Sequence, residues 1–436
     1  MNRSTRRGRP AIVREKFDLE GATGFGGANL LVDYAQKIGL RKAIRRETRG
    51  FEKRDNAIYP LASTLELMVF GRVLGVGRLH EFEVLENDDL LRLKLGLRKM
   101  PDTTLLYRDL ERLSEDRHRD SLHRLARFTA GRVLGKEVIL DMDSTVETVY
   151  GQLQGAAVGY NPTKHGRASY HPILVFDGIS RAAIRAELRP GNAVAATDAL
   201  SVLDRSLEDV TKTGAKVIGF RGDRGFQGEE IFKHLEDLGI DYAIKTAVDR
   251  KLADWAADLT FREIGLDGDD ILEAAEGTYQ RNSWSRPRRV VYLRKRIASG
   301  LCTGATYDQQ AIVTTLTADP EDVYHFYNQR CAMENLIREA KDGFGIDEFS
   351  SRTWHGNYAD LLIKLLAYNL TLAFQQDLCS LGSAPLQTIR LLRRWTLHVP
   401  AILVRHARGW TLRLACQYRR DGQFERMRRR LQAISC

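Results

Sequence analysis

The chain is 436 residues long, 43% apolar and 28% charged, with a mean hydropathy of −0.34. At roughly 150 residues per domain this is enough for two to three domains, and the composition excludes a collagenous, coiled-coil, wholly disordered or disulfide-stapled chain. The net charge of +10 is uneven, with +7 in residues 1–50, +10 in residues 390–436 and −7 between them, so ends suited to a polyanion flank an interior able to cluster carboxylates.

The opening MNRSTRRGRP is charged and no apolar run follows it. The most apolar stretch, Leu361 to Phe374, is broken by Lys364 and is too short for a bilayer. A cytoplasmic protein with no membrane partner is the expectation. Cys302, Cys331, Cys379, Cys416 and Cys436 are scattered, with no CxxC pair, so reduced thiols are expected and zinc sites are not.

Residues 1–28 turn from basic to Gly-rich, and Asn29 stands where a dinucleotide-binding GxGxxG needs its last glycine. From 29 to 134 apolar residues recur at three- and four-residue spacing in LLVDYAQKIGL, LASTLELMVFGRVLGV and LLYRDLERL, which predicts helices. Asp102, after Pro101, is placed to cap the last of these. Thr103, Thr104, Arg108 and Arg112 on its polar face fit DNA as well as they fit solvent.

Near 136 the pattern turns to β. Val138 to Leu140 lead into Asp141-Met142-Asp143; HPILVF and RAAIRAEL follow on either side of Asp177-Gly178. These predict three strands in meander order. A helix over 194–212, a strand from Lys216 to Phe220, a helix with Ile231, Leu235 and Leu238 on one face, and a strand from Ile240 to Ile244 complete a strand–helix–strand crossover. Residues 247–306 interrupt the rhythm as a β-rich insertion, and Gln310 to Leu316 resume a strand. A helix is predicted over 320–342, with Asp319 as N-cap, Pro320 at its first position and Gly343 as terminator. Tyr358 to Leu378 reads as a long buried helix, followed by a basic tail ending in RMRRRLQ.

Asp143 and Asp223 each stand just past an apolar strand, where α/β sheets bind ligands. Asp141 competes with Asp143, because residues two apart share a strand face; Ser144 and Thr145 after Asp143 favour the latter. On the 320–342 helix, Tyr327, Arg330, Glu334 and Lys341 fall within an arc of about 60° at 3.6 residues per turn. That stripe can face the sheet edge where the two aspartates emerge. His165 and His171, in the meander, are read as hydrogen-bonding rather than catalytic.

Tyr327-x2-Arg330-x3-Glu334-x6-Lys341 resembles the YREK signature of bacterial insertion-sequence transposases of the DDE class. Asp143-Ser144-Thr145 and Arg221-Gly222-Asp223-Arg224-Gly225-Phe226 are similar to that family's first and second aspartate motifs. The resemblance covers about 136 to 345, including the insertion between the second aspartate and the glutamate. It implies an α/β fold: an RNase H-like mixed sheet flanked by helices and interrupted by a β-rich insertion, with an N-terminal helical domain. The expected division is a DNA-binding helical region over 1–134, a catalytic core over 135–246 and 307–380, the insertion over 247–306 and a basic C-terminal region over 381–436.

The implied function is cleavage of DNA at terminal inverted repeats and transfer of the 3′-hydroxyl ends to target DNA, by a homodimer in a synaptic complex. Asp143, Asp223 and Glu334 would hold two Mg²⁺ ions, with Mn²⁺ as a substitute. Hard carboxylate oxygens suit such ions, and three clustered acids call for cations. Tyr327, Arg330 and Lys341 would hold DNA phosphates; Trp284 could stack on an unpaired base, as aromatic residues of this region do in relatives, although packing is the better reading of it. The competing readings are a nuclease on the same fold that cuts without joining, and a DNA-binding protein with a retired site.

Overall fold

The computed structural model describes residues 13–51, 53, 57–267, 270–296, 307–380, 386–419 and 422–434. Cys302, Cys436 and the basic opening segment lie outside them. At the centre is a mixed nine-stranded sheet. The expected meander forms β1 (Glu137–Ser144), β2 (Ile173–Asp177) and β3 (Ala183–Glu187), paired antiparallel. β4 (Lys216–Gly222) lies parallel to β1 on its other side, and β5 (Asp241–Thr246) parallel to β4.

The residues expected as an insertion extend this same sheet. β6 (Arg262–Asp267), β7 (Asp270–Tyr279) and β8 (Arg288–Arg296) form antiparallel hairpins that reach β5 through β9 (Tyr307–Thr314). The spatial order is therefore 3-2-1-4-5-9-8-7-6. The reason is legible in β8, where Val290, Val291, Tyr292 and Leu293 are consecutive and all buried: a continuous apolar run is a strand covered on both faces.

Before the sheet come α1 (Ala28–Lys37), α2 (Leu40–Glu47), α3 (Leu61–Leu74), α4 (Asp89–Leu95), α5 (Thr103–Leu113) and α6 (Asp116–Ala130). Asp102 caps α5 as expected, its carboxylate accepting from the Leu105 amide at 2.7 Å. α7 (Ala199–Thr211), α8 (Glu229–Asp237) and α9 (Arg250–Ala257) follow strands of the sheet. The glutamate-bearing segment gives α10 (Pro320–Asn328) and α11 (Cys331–Phe344). α12 (Trp354–Phe374) is buried from Gly356 onward and packs against α3, α5, α6 and β3. Its two charges are neutralised within the core: Asp360 accepts from Arg72 of α3 at 2.6 Å and lies 2.9 Å from Lys364. All three are at most 1% exposed, a burial that ionised groups tolerate only when paired.

The C-terminal region holds α13 (Ile389–Leu392), the hairpin β10 (Ala401–His406) and β11 (Gly409–Leu414), and α14 (Gln423–Ala433). Residues Ala22 and Thr23 pair with β10, so the two ends of the chain meet. Gly27 fits there because a β-carbon would collide with the Thr396 carbonyl. Among the described residues no helix is long and apolar enough to cross a membrane.

The single helix expected over 320–342 is two helices. Arg221 donates to the Phe326 carbonyl at 2.9 Å and to Gln329 Oε1 at 3.2 Å. Phe326 O is the acceptor that a continuous helix would offer to the Arg330 amide; that amide turns instead to Tyr327 O at 2.9 Å, a tighter turn. Asp319 occupies the N-cap position without a capping hydrogen bond. The chain leaves α11 at Gly345, whose φ of 66° needs no β-carbon, and not at Gly343.

Candidate active site

β1 and β4 are parallel neighbours, so their C-terminal ends open onto the same edge of the sheet. Asp141 and Arg221 face each other in register across them. Arg221 Nε and Nη2 donate to the two Asp141 oxygens at 2.6 and 2.8 Å, with both residues essentially unexposed. Burial pushes the Asp141 carboxyl up and the guanidinium pulls against it. Asp141 is thereby committed to the scaffold, which leaves Asp143 as the acid of β1 that faces the site.

Asp143 is mostly buried and lies 3.0 Å from Arg330 Nη2, at the turn between α10 and α11. Its carboxyl is pushed up to about 6, first by burial and further by Asp223 and Glu334, while Arg330 and the Ser144 amide oppose. Asp223, just past β4, accepts from the Gly225 amide at 2.8 Å, and Glu334 stands exposed in the first turn of α11. The three acids thus lie in one field, and Arg330 is the cation beside them. Its approach to Asp143 is close but misaligned: Nε and Nη2 are buried without a hydrogen bond among the described residues. No three acidic, His or Cys side chains among the described residues stand close enough to form a metal cluster as they are. The donor chemistry nevertheless fits a hard divalent cation, because mutual repulsion and a misaligned guanidinium leave the charge of Asp143 poorly compensated.

The remaining stripe residues are engaged. Lys341 donates to Thr145 Oγ1 at 2.7 Å and lies 2.8 Å from Glu147 Oε1, tying α11 to the segment after β1. Tyr327 is buried in a small core cluster with Val323, Val291 and Ile312, and burial pushes its hydroxyl up to about 12. The sequence reading placed Arg221 in the second aspartate motif without giving it a role, and it missed Glu147. A charge within a strand buried on both faces requires a partner, and that requirement points from Asp141 to the arginine in register on β4.

Trp284 takes the packing role, the better of its two readings, and not the DNA role. It is 4% exposed, meets Phe232 and Tyr279 edge-on, and lies under Arg281 and Arg288. Its faces are covered by protein, so it packs and offers no platform to a base. His171 is hydrogen-bonded: Nδ1–H donates to Ala193 O at 2.6 Å, which leaves Nε2 to accept from the Ser144 hydroxyl at 3.1 Å. Burial lowers its basicity, in keeping with that neutral tautomer. His165 is exposed.

Among solved structures the chain is similar to piggyBac transposase in a synaptic complex with hairpin DNA, at 11% identity and a TM-score of 0.45, covering 95% of this chain and 83% of that one. A likeness at that level transfers no residue roles. No curated protein matches the chain. Over residues 7–436 it matches the family described as transposase DDE domain group 1. A match of that extent decides the family: the chain belongs to the DDE-domain transposases of group 1.

Proposed function

We propose that this transposase binds the terminal inverted repeats of an insertion sequence, cleaves the DNA ends and joins the 3′-hydroxyls to target DNA on an RNase H-like core. What supports the reading is that Asp143, whose carboxyl is pushed up in part by Asp223 and Glu334, lies 3.0 Å from Arg330 at the turn into the helix that carries Glu334. Clustered acids of this kind store repulsion that a nearby cation relieves. Two Mg²⁺ ions, or Mn²⁺ in their place, held by these three carboxylates would supply Lewis-acid stabilisation of the oxygens entering and leaving phosphorus.

The chain's other residues orient DNA. Arg330, beside Asp143, would offer its guanidinium charge to a non-bridging phosphate oxygen. Lys341, steadied by Thr145 and Glu147, holds a neighbouring phosphate. Tyr327, buried in the core cluster, holds α10 against the sheet beside Arg330, and its hydroxyl is the group that would meet a phosphate if DNA reaches it. A homodimer would pair two transposon ends in one synaptic complex.

The test is incubation of purified protein with Mg²⁺, a labelled terminal repeat and a target plasmid. Joined product, lost in Asp143→Asn, Asp223→Asn and Glu334→Gln, is the expected result. Cleavage without joining at every protein ratio would replace the transposase reading with a nuclease; product that survives all three substitutions would remove these acids from the chemistry.

A further inference from the structure

A groove of about 1270 Å³ opens between α11 and the C-terminal segment, lined by Arg338, Asp342, Arg390, Arg393 and Arg394 among others. Arg181, from the turn between β2 and β3, and His398 and Tyr418 complete its walls. The groove starts beside the catalytic stripe: Arg338 lies one helical turn, about 5.4 Å, beyond Glu334 on the same helix.

Its cations divide into two sets. Arg393 is spent on structure, donating to the Arg72 and Val73 carbonyls at 2.8 Å each and to that of Gly343, which closes the ends of α3 and α11. Arg181, Arg338, Arg390 and Arg394 are exposed, and none forms an ion pair among the described residues. Two carboxylates share the lining, Asp342 and Glu339, the latter also accepting from the Ile389 amide at 2.8 Å; the four exposed arginines outnumber them, with Arg338 also donating to Asn335 Oδ1 at 2.6 Å and Arg394 lying 5.3 Å over the Trp395 ring.

The same charge continues outward. His398 and Tyr418 both line the groove, and the hairpin β10–β11 springs from the chain between them. The hairpin carries Arg405, Arg408 and Arg413, all exposed and without an ion pair among the described residues. Arg405 lies 5.8 Å above the half-exposed Trp410 ring. Every one of these full cations is an arginine, whose planar fork suits phosphate oxygens better than a lysine ammonium does. Ala332, Leu336 and Ile389 add apolar surface to the lining, but the exposed cations favour an anionic partner, and a small anion would need an enclosed site rather than a long open one.

We propose that the groove carries the backbone of duplex DNA on one side of the scissile phosphate, so that the C-terminal segment and its hairpin form a wall of the DNA path. This rests on the transposase reading of the carboxylate site. The test compares the full chain with its Arg338→Gln, Arg390→Gln, Arg394→Gln triple variant. Binding is read by fluorescence anisotropy across a salt series, on duplexes that either stop at the cleavage point or continue past it on one side or the other.

Loss of about three phosphate contacts lowers the slope of log affinity against log salt by two to three. The triple variant is expected to show that drop, with at least a tenfold loss of affinity, on duplexes extended to one side only. Unchanged slope and affinity overturn the proposal; so does an equal loss on every duplex, or a preference of the wild type for single-stranded RNA of equal length. Because the three arginines are exposed, matching thermal melts are expected for both proteins. Cleavage assays on the same duplexes separate the two readings: if the wild type binds with the predicted one-sided dependence yet cuts nothing, the groove stands and the catalytic reading fails.

Discussion

Arg221 grips both oxygens of Asp141 at 2.6 and 2.8 Å, and its third nitrogen takes the Phe326 carbonyl at the end of α10. One side chain thus joins the two strands that deliver the aspartates to the turn that delivers Arg330 and Glu334. The ion pair is fully enclosed, so losing either partner leaves a buried charge unanswered. Asp141→Ala or Arg221→Met is expected to cost about 3–5 kcal/mol in urea unfolding. Replacing both together should recover much of that loss. Single-variant losses below about 1 kcal/mol would mean that the contact does not anchor the site.

Asp143 gives a pH signature of opposite sense to a salt-bridged acid. Its folded value of about 6 exceeds the ordinary 3.8, so the protonated form is favoured by folding. That contribution is whole below about pH 4 and is lost as pH rises through about 6. Asp143→Asn removes the dependence, and at pH 8 the variant should be more stable than wild type by about 1–3 kcal/mol. At pH 4 the difference should vanish. Paired thermal melts at the two pH values check this, and a variant less stable at pH 8 would reverse the sign.

Divalent cation should raise the melting temperature of the wild type in the absence of DNA. At a hundredfold excess over its dissociation constant, a ligand specific to the folded state adds about 2.7 kcal/mol. Asp223→Asn and Glu334→Gln are each expected to remove most of that shift. An undiminished Mg²⁺ response in both would place the cation elsewhere.

Trp284→Ala is a folding variant by this account. Emptying the space among Phe232, Tyr279 and the two arginines should cost about 3–5 kcal/mol. DNA affinity per folded molecule should stay within twofold of wild type, as judged by active-site titration alongside melting. A tenfold loss of affinity in a protein of unchanged stability would return the indole to the DNA.

The sequence made the meander, the crossover and the buried α12 readable, because their apolar periods match the burial found and because Asp102 and Pro320 sit at true helix starts. Strand ends also marked Asp143 and Asp223. One feature stayed hidden for a physical reason. The division of the 320–342 helix depends on a guanidinium from a strand over a hundred residues earlier, which removes one backbone acceptor; no local propensity records that event. Packing was the better reading of Trp284 even though serines and arginines that look solvent-facing surround it, and Arg288 folds over it while pairing with Glu229 and Glu236. Local polarity there reported the ends of long side chains and not the stems that cover the ring.

The knot of Arg72, Asp360 and Lys364 bears on how this molecule could be divided. Cutting before residue 135 would strip Asp360 of its guanidinium and bare the apolar flank of α12 to water. A fragment of that kind is expected to aggregate. The leading helices and the cutting machinery are sealed by a shared charge, and exchanging one without the other between related enzymes would require carrying all three residues along as a set.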